Sequence, residues 1–171
     1  MHKDLGVFLE ETKYCNFNHP EIQKITSNIT KNCKDDKEKS IALFYWVRDN
    51  IKYRFGNWGL SASEVLKQGH GMCTNKAVLL TTFLRASHIP AGFGILKVKG
   101  QEYFGLIAPK TLKDKVSKKS VHFYSYVNLD NKWIGFCQYR KFWSLKDYKN
   151  DKINIQSLNY QVLKQIPPEL E

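Results

Sequence analysis

Gly69-His70-Gly71-Met72-Cys73-Thr74-Asn75-Lys76-Ala77-Val78-Leu79-Leu80 is the stretch on which the reading of this chain turns. Two glycines break the backbone, and a helical pattern begins at once behind them. Ala77, Leu80, Phe83 and Leu84 recur at helical spacing, and Ile89-Pro90 is the expected stop. The spacing sets Cys73 at a helix N-terminus, behind a glycine turn. There, unpaired backbone N–H groups and the helix dipole are expected to lower the thiol pKa. Glycines at 69 and 71 let the main chain approach a substrate closely. The N–H of Cys73 would point at a carbonyl oxygen gathering charge. A buried structural cysteine at a helix start has the same signature, so position alone leaves both readings open.

Upstream, Ser61 to Gln68 reads as a short helix, and Arg54-Phe55-Gly56-Asn57-Trp58-Gly59 as an aromatic loop. A longer helix follows Asp35-Asp36, where Asp35 and Glu38 resemble a capping box. Ile41, Phe44, Tyr45, Val47 and Ile51 are its expected buried face. His19-Pro20 opens another helix with the stripe Ile22, Ile25, Ile29. Residues 1–19 read as extended and irregular.

After Pro90 the period changes. Gly92 to Val98 reads as a strand, and the lysine-rich stretch to about Ser120 as a loop that could act as a lid. Val121 to Leu129 is a strand, Asp130-Asn131 a turn, and Lys132 to Tyr139 the partner strand. Ile153 to Val162 reads as a further strand or a docking segment. Helices first and antiparallel strands later give an α+β fold.

His122 opens the second of these strands and is the candidate base for the thiol. A two-residue turn at 130–131 pairs Leu129 with Lys132, so Tyr124 faces Cys137 and His122 faces Tyr139. All four then share one side of the sheet. Cys137 is diagonal to His122, at roughly 7–8 Å between backbones. Asp130 is excluded as a partner for His122, since the strand between them spans about 26 Å. Asp147 and Asp151 are acids that nothing in the sequence places.

Three blocks together carry a resemblance. Ser61 through Cys73 to Ala77, continuing Leu84-Arg-Ala-Ser-His-Ile-Pro-Ala91, is similar to the core of the transglutaminase-like superfamily. So are Trp46-Val-Arg-Asp-Asn-Ile-Lys-Tyr53 and His122-Phe-Tyr-Ser-Tyr-Val-Asn-Leu-Asp-Asn-Lys-Trp133. The segment from Phe8 to Pro20 resembles what often precedes this core in bacterial and archaeal members. The resemblance implies a papain-like α+β fold in which a helix bearing the nucleophile packs on an antiparallel sheet bearing the base. It maps the family's cysteine onto Cys73 and its histidine onto His122. It implies acyl transfer from an amide to the thiol, then release by water or an amine. Some members have lost activity and serve as binding domains. The family's third residue, usually an aspartate that orients the histidine, falls on Cys137.

Other residues have expected parts. Trp58 and Asn57 are candidate second oxyanion donors, with Trp58 also readable as a core anchor. Tyr139 or Gln138 could hold the imidazole. His70 is expected to face solvent or substrate, Lys76 to be solvated, and Trp133 to wall the site or join the core. Cys73, His122 and Cys137 could alternatively hold zinc, or the two cysteines could form a redox-sensitive disulfide. No standard zinc spacing accompanies them, and no metal or cofactor is expected.

Composition bounds the rest. The 171 residues are 42% hydrophobic, 13% aromatic and 25% charged, which excludes disorder throughout and low-complexity architecture. One domain over residues 1–171 is expected, with a core of about 20–139, an arm at 1–19 and a segment at 140–171. No apolar run nears the roughly 18 residues of a membrane span. The start Met1-His2-Lys3-Asp4 does not read as a secretory leader, and four scattered cysteines suit a cytoplasmic thiol protein. The net charge of +11 admits nucleic acid or an acidic substrate, without an RNA-recognition, zinc-finger or phosphate-loop motif beside it. A peptide, protein or small amide is the expected substrate. A catalytically impaired binding domain is the second expectation, and a basic nucleic-acid binder the third.

Overall fold

The computed structural model describes residues 5–99, 119–136 and 161–163. Four α-helices and six strands alternate within them. Helix α1 (Pro20–Thr30) begins with proline at its first turn, and His19 Nδ1 accepts the N–H of Glu21. Helix α2 (Asp36–Asn50) is capped by Asp35, whose Oδ1 accepts the N–H of Glu38 at 2.7 Å. Glu38 reaches back to the N–H of Lys34, one residue earlier than a standard capping box. Its buried face is Ser40, Leu43, Phe44 and Val47, while the expected Ile41 and Tyr45 are only half-buried. Helix α3 (Ala62–Gln68) carries a complete Ser61–Glu64 capping box and ends at Gly69, whose φ of 69° needs glycine.

Helix α4 (Cys73–Ala86) is the hub, with every residue from Asn75 to Arg85 buried. A helix buried all round must be covered on every side. Helices α1, α2 and α3 pack against it, and the sheet covers the remaining side. It ends three residues before the expected stop: Ser87 caps it and His88 turns left-handed at φ 59°. Ile89 then closes the end by donating its N–H to Leu84 O at 2.9 Å.

The sheet is antiparallel, in the order β5-β4-β3-β6, with β3 Ala91–Lys99, β4 Lys119–Leu129, β5 Lys132–Phe136 and β6 Gln161–Leu163. Asp130 and Asn131 both have positive φ, 51° and 61°, the geometry of a two-residue hairpin whose twist matches the strands. The register runs from Leu129↔Lys132 to Ser125↔Phe136, as the two-residue turn requires. Alternation then sets Phe123, Ser125 and Val127 on one face and His122, Tyr124 and Tyr126 on the other. Ser125 fixes the first face to α4, donating to Ala77 O at 3.1 Å.

Residues 5–19 are more organised than an extended arm. Gly6–Leu9 forms a 3-10 turn, Phe8 meets the edge of the Trp133 ring at 4.6 Å, and Tyr14 and Cys15 enter the core. Buried Arg85 stitches this arm down, its Nη1 donating to Glu10 O at 2.7 Å and its Nε to Ala91 O at 2.9 Å. The other two strands, β1 (Lys52–Tyr53) and β2 (His70–Gly71), pair in parallel and fix the chain on either side of α3. The expected lid falls mostly on residues 100–118, and Cys137, Gln138, Tyr139, Asp147, Asp151 and residues 153–160 also lie outside the described residues.

Candidate active site

The turn before α4 is tight for a stated reason. A Cβ at Gly71 would stand 2.5 Å from Asn75 Cβ, so glycine is what lets the main chain pass. Asn75, fully buried, accepts the N–H of Met72 at Oδ1 (2.9 Å). Its Nδ2 donates to both Asn57 O and Trp58 O, each at 3.1 Å. The helix start and the aromatic loop are thereby one unit.

Lys76 corrects the expectation of a solvated lysine. It is 5% exposed, and its Nζ donates to the carbonyls of Val47, Arg48 and Ile51. These oxygens lie at the C-terminal end of α2, where a cation offsets the helix dipole and satisfies orphan acceptors. The first turn of α4 is thus fastened to α2 on one side and to the loop on the other.

Cys73 and His122 border one pocket, together with Tyr53, Lys76, Ala77, Phe123, Tyr124 and Phe136. Phe123, the residue after His122, lines the same pocket. His122 is 4% exposed, and its ring lies nearly parallel to that of Tyr124, 14° between planes and 6.4 Å between centroids. Tyr126 continues the row beyond Tyr124, then Trp133 stacks on Tyr126 at 5.5 Å. Trp133 therefore belongs to this aromatic row and its contact with Phe8, away from the pocket lining.

The electrostatics overturn one expectation. Burial pushes the Cys73 thiol above its ordinary value and outweighs the lowering by the N–H of Phe123 and by Thr74 and Cys73 themselves. The helix start acts in the expected direction but loses to desolvation. Burial also pulls His122 down to about 4. At neutral pH the two groups therefore rest as thiol and neutral imidazole.

Trp58 is 43% exposed, which overturns its reading as a core anchor. Asn57 Oδ1 is engaged by the N–H of Gly59 at 2.9 Å. Neither residue is in the pocket lining, and both are held near it through Asn75. His70 is half-buried, with its backbone in β2. Tyr53, Phe123 and Phe136 are lining residues that the sequence reading did not single out. Tyr53 closes the block Trp46–Tyr53, and that was its one available signal. No group of three or more potential metal-binding side chains clusters among the described residues, and the zinc and disulfide alternatives turn on Cys137, which lies outside them.

The sequence profile described as the transglutaminase-like superfamily matches residues 23–136, more than half of the chain. The chain belongs to the transglutaminase-like superfamily. The match begins inside α1 and ends at Phe136, one residue before Cys137. A crystal structure of a candidate cysteine protease from Cytophaga hutchinsonii superposes with a TM-score of 0.61 at 24% identity, over 82% of this chain and 43% of that one. It shares the papain-like, transglutaminase-like fold, and this chain spans less than half of its length. A candidate protease from Parabacteroides distasonis ATCC 8503 superposes with a TM-score of 0.49 at 15% identity, over 77% of this chain and 25% of that one. No curated protein matches the chain. Among the described residues of this superfamily member, no helix is long and apolar enough to cross a membrane.

Proposed function

We propose that the chain is a thiol-dependent acyl-transfer enzyme acting on an amide or peptide-type bond, with Cys73 as nucleophile and His122 as base. The observation that carries this reading is that both residues border one pocket, Cys73 from the start of α4 and His122 from β4, the His122 side chain springing from the sheet face opposite the one packed on α4. Superfamily membership and the name of the Cytophaga hutchinsonii structure support it.

The chemistry starts from two uncharged groups. As the Cys73 sulfur bonds to the carbonyl carbon, the thiol proton passes to His122 and the carbonyl oxygen becomes an oxyanion. The N–H of Cys73 faces that charge, and Trp58 or Asn57 is the second donor. The C–N bond then breaks, and the amine leaves with the proton from the imidazolium. Water attacks the thioacyl carbon as its proton passes to His122; the C–S bond then breaks and the imidazolium returns the proton to sulfur, giving the acid and the free thiol. Hydrolysis is the default outcome, because water is always present. The substrate is a peptide, a protein or a small amide, and one domain spans residues 1–171. The resemblance assigns Cys137 to the position the family's aspartate usually holds.

Incubating the protein with peptide, ester and amide libraries and weighing it intact tests this reading. A covalent adduct on Cys73 is expected, absent from Cys73→Ala and far slower in His122→Ala. No adduct, with all four cysteines alkylated slowly and alike, overturns it. A second reading, a catalytically impaired binding domain, is favoured by burial holding the thiol protonated. It predicts that outcome together with retained folding.

A further inference from the structure

We infer that Asn75 is a positioning residue that holds the oxyanion-side loop against the nucleophile's turn. The inference rests on the acyl-transfer reading above and concerns how that site is built.

Asn75 is two residues beyond Cys73 and fully buried, and all three of its described hydrogen bonds go to main chain. One oxygen accepts from Met72, the residue before the nucleophile. Both amide protons go to consecutive carbonyls of the aromatic loop, at Asn57 and Trp58. The amide is a bracket with the Cys73 turn on one side and the Trp58 backbone on the other. An asparagine has two donors and an acceptor on one planar group, and here each is used. Aspartate, of the same size, has no donors to offer two carbonyls. Gly71 completes the arrangement, since any side chain there would displace Asn75.

Trp58 and Phe55 on this loop are 43% and 42% exposed, so the loop lacks a buried apolar anchor of its own at these positions. An oxyanion donor works only when it is fixed before charge develops. Fixing the loop through its backbone sets the distance from the second donor to the Cys73 N–H. Asn75 touches neither substrate nor thiol in this scheme and acts through the loop.

Asn75→Asp tests the inference, because it keeps the acceptor for Met72 and loses both donors. Three quantities are read on the full chain: amide exchange over residues 54–59, turnover of p-nitrophenyl acetate, and alkylation of Cys73 by iodoacetamide. Alkylation forms no oxyanion, so it separates damage to the thiol from damage to the loop. The expected result is faster exchange in the loop and a kcat lower by about tenfold or more, up to the roughly 10²–10³ that losing an oxyanion donor outright costs. KM and the alkylation rate should stay within about twofold. If the buried carboxylate unfolds the chain, Asn75→Ala provides the loop-exchange and kcat readings, with the acceptor for Met72 lost as well. Unchanged loop exchange, a loosened loop with unchanged kcat, or alkylation falling in step with kcat overturns the assignment while leaving the acyl-transfer reading intact. A wild-type protein that neither turns over the ester nor forms an adduct overturns both.

Discussion

The two ends of α4 are finished differently. At the C-terminal end the helix closes on itself: Ser87, His88 and Ile89 return their N–H groups to the last turn, and Arg85 runs out to the carbonyls of Glu10 and Ala91. At the N-terminal end Asn75 and Lys76 likewise reach main-chain carbonyls, but the amides of Cys73 and Thr74 stay turned toward a sulfur at a pocket. Both ends use buried polar side chains as fasteners. Only the N-terminal one carries a thiol at a pocket. Anchoring and reactivity are thus separable properties of a helix terminus.

The largest test of that contrast is Cys73→Ser, which should remove all covalent adduct by intact mass while barely changing the urea midpoint. Next come the fasteners. Lys76→Met strands the carbonyls of Arg48 and Ile51, with Val47 O keeping the N–H of Ile51, and should cost about 2 kcal/mol in urea unfolding. Arg85→Met strands two and should cost about 2 kcal/mol. Cys73 alkylation should change in Lys76→Met and not in Arg85→Met. Equal effects on the thiol would mean that the two ends are not functionally distinct.

The third test uses pH. His122 has its pKa depressed to about 4 in the folded chain against 6.5 ordinarily. The unfolded chain therefore takes up the proton first as pH falls. Stability is whole above about pH 6.5 and drains away down to about pH 4, by roughly 3 kcal/mol in all. Unfolding curves across this window should show the slope, and His122→Asn should flatten it. An undiminished slope in that variant would assign the loss to other groups. The raised thiol adds a companion observation: Cys73 alkylation should keep accelerating as pH climbs past the ordinary thiol range.

Much of this was legible beforehand, and the reason lies in local chemistry. Proline after His19, aspartate before α2, and Ser61 with Glu64 write their own helix starts. Asp130-Asn131 writes its turn, and the turn fixes every later pair along the hairpin. Cys73 and His122 were singled out from motif and position, and both border one pocket. What stayed hidden was decided by tertiary burial. Lys76 looks like a surface residue until α2 ends above it. Trp58 looks like a core residue until its loop is seen to face outward. The sign of the thiol's shift was misread because helix-end stabilisation is visible in sequence, whereas desolvation depends on what packs nearby.

The smallest effect expected is at the hairpin. Asn131→Gly relieves the positive φ of 61° and should raise the urea midpoint slightly, by about 0.5 kcal/mol of stability. No change would mean that asparagine already suits the turn.

Asn75, Lys76 and Arg85 share a habit with an evolutionary edge. Each grips carbonyl oxygens of the chain and ignores which side chain stands there. Positions 10 and 48 are thereby free to drift in identity without loosening the scaffold, whereas the three grips are not. Relatives of this chain should therefore vary most where they are held and least where they hold.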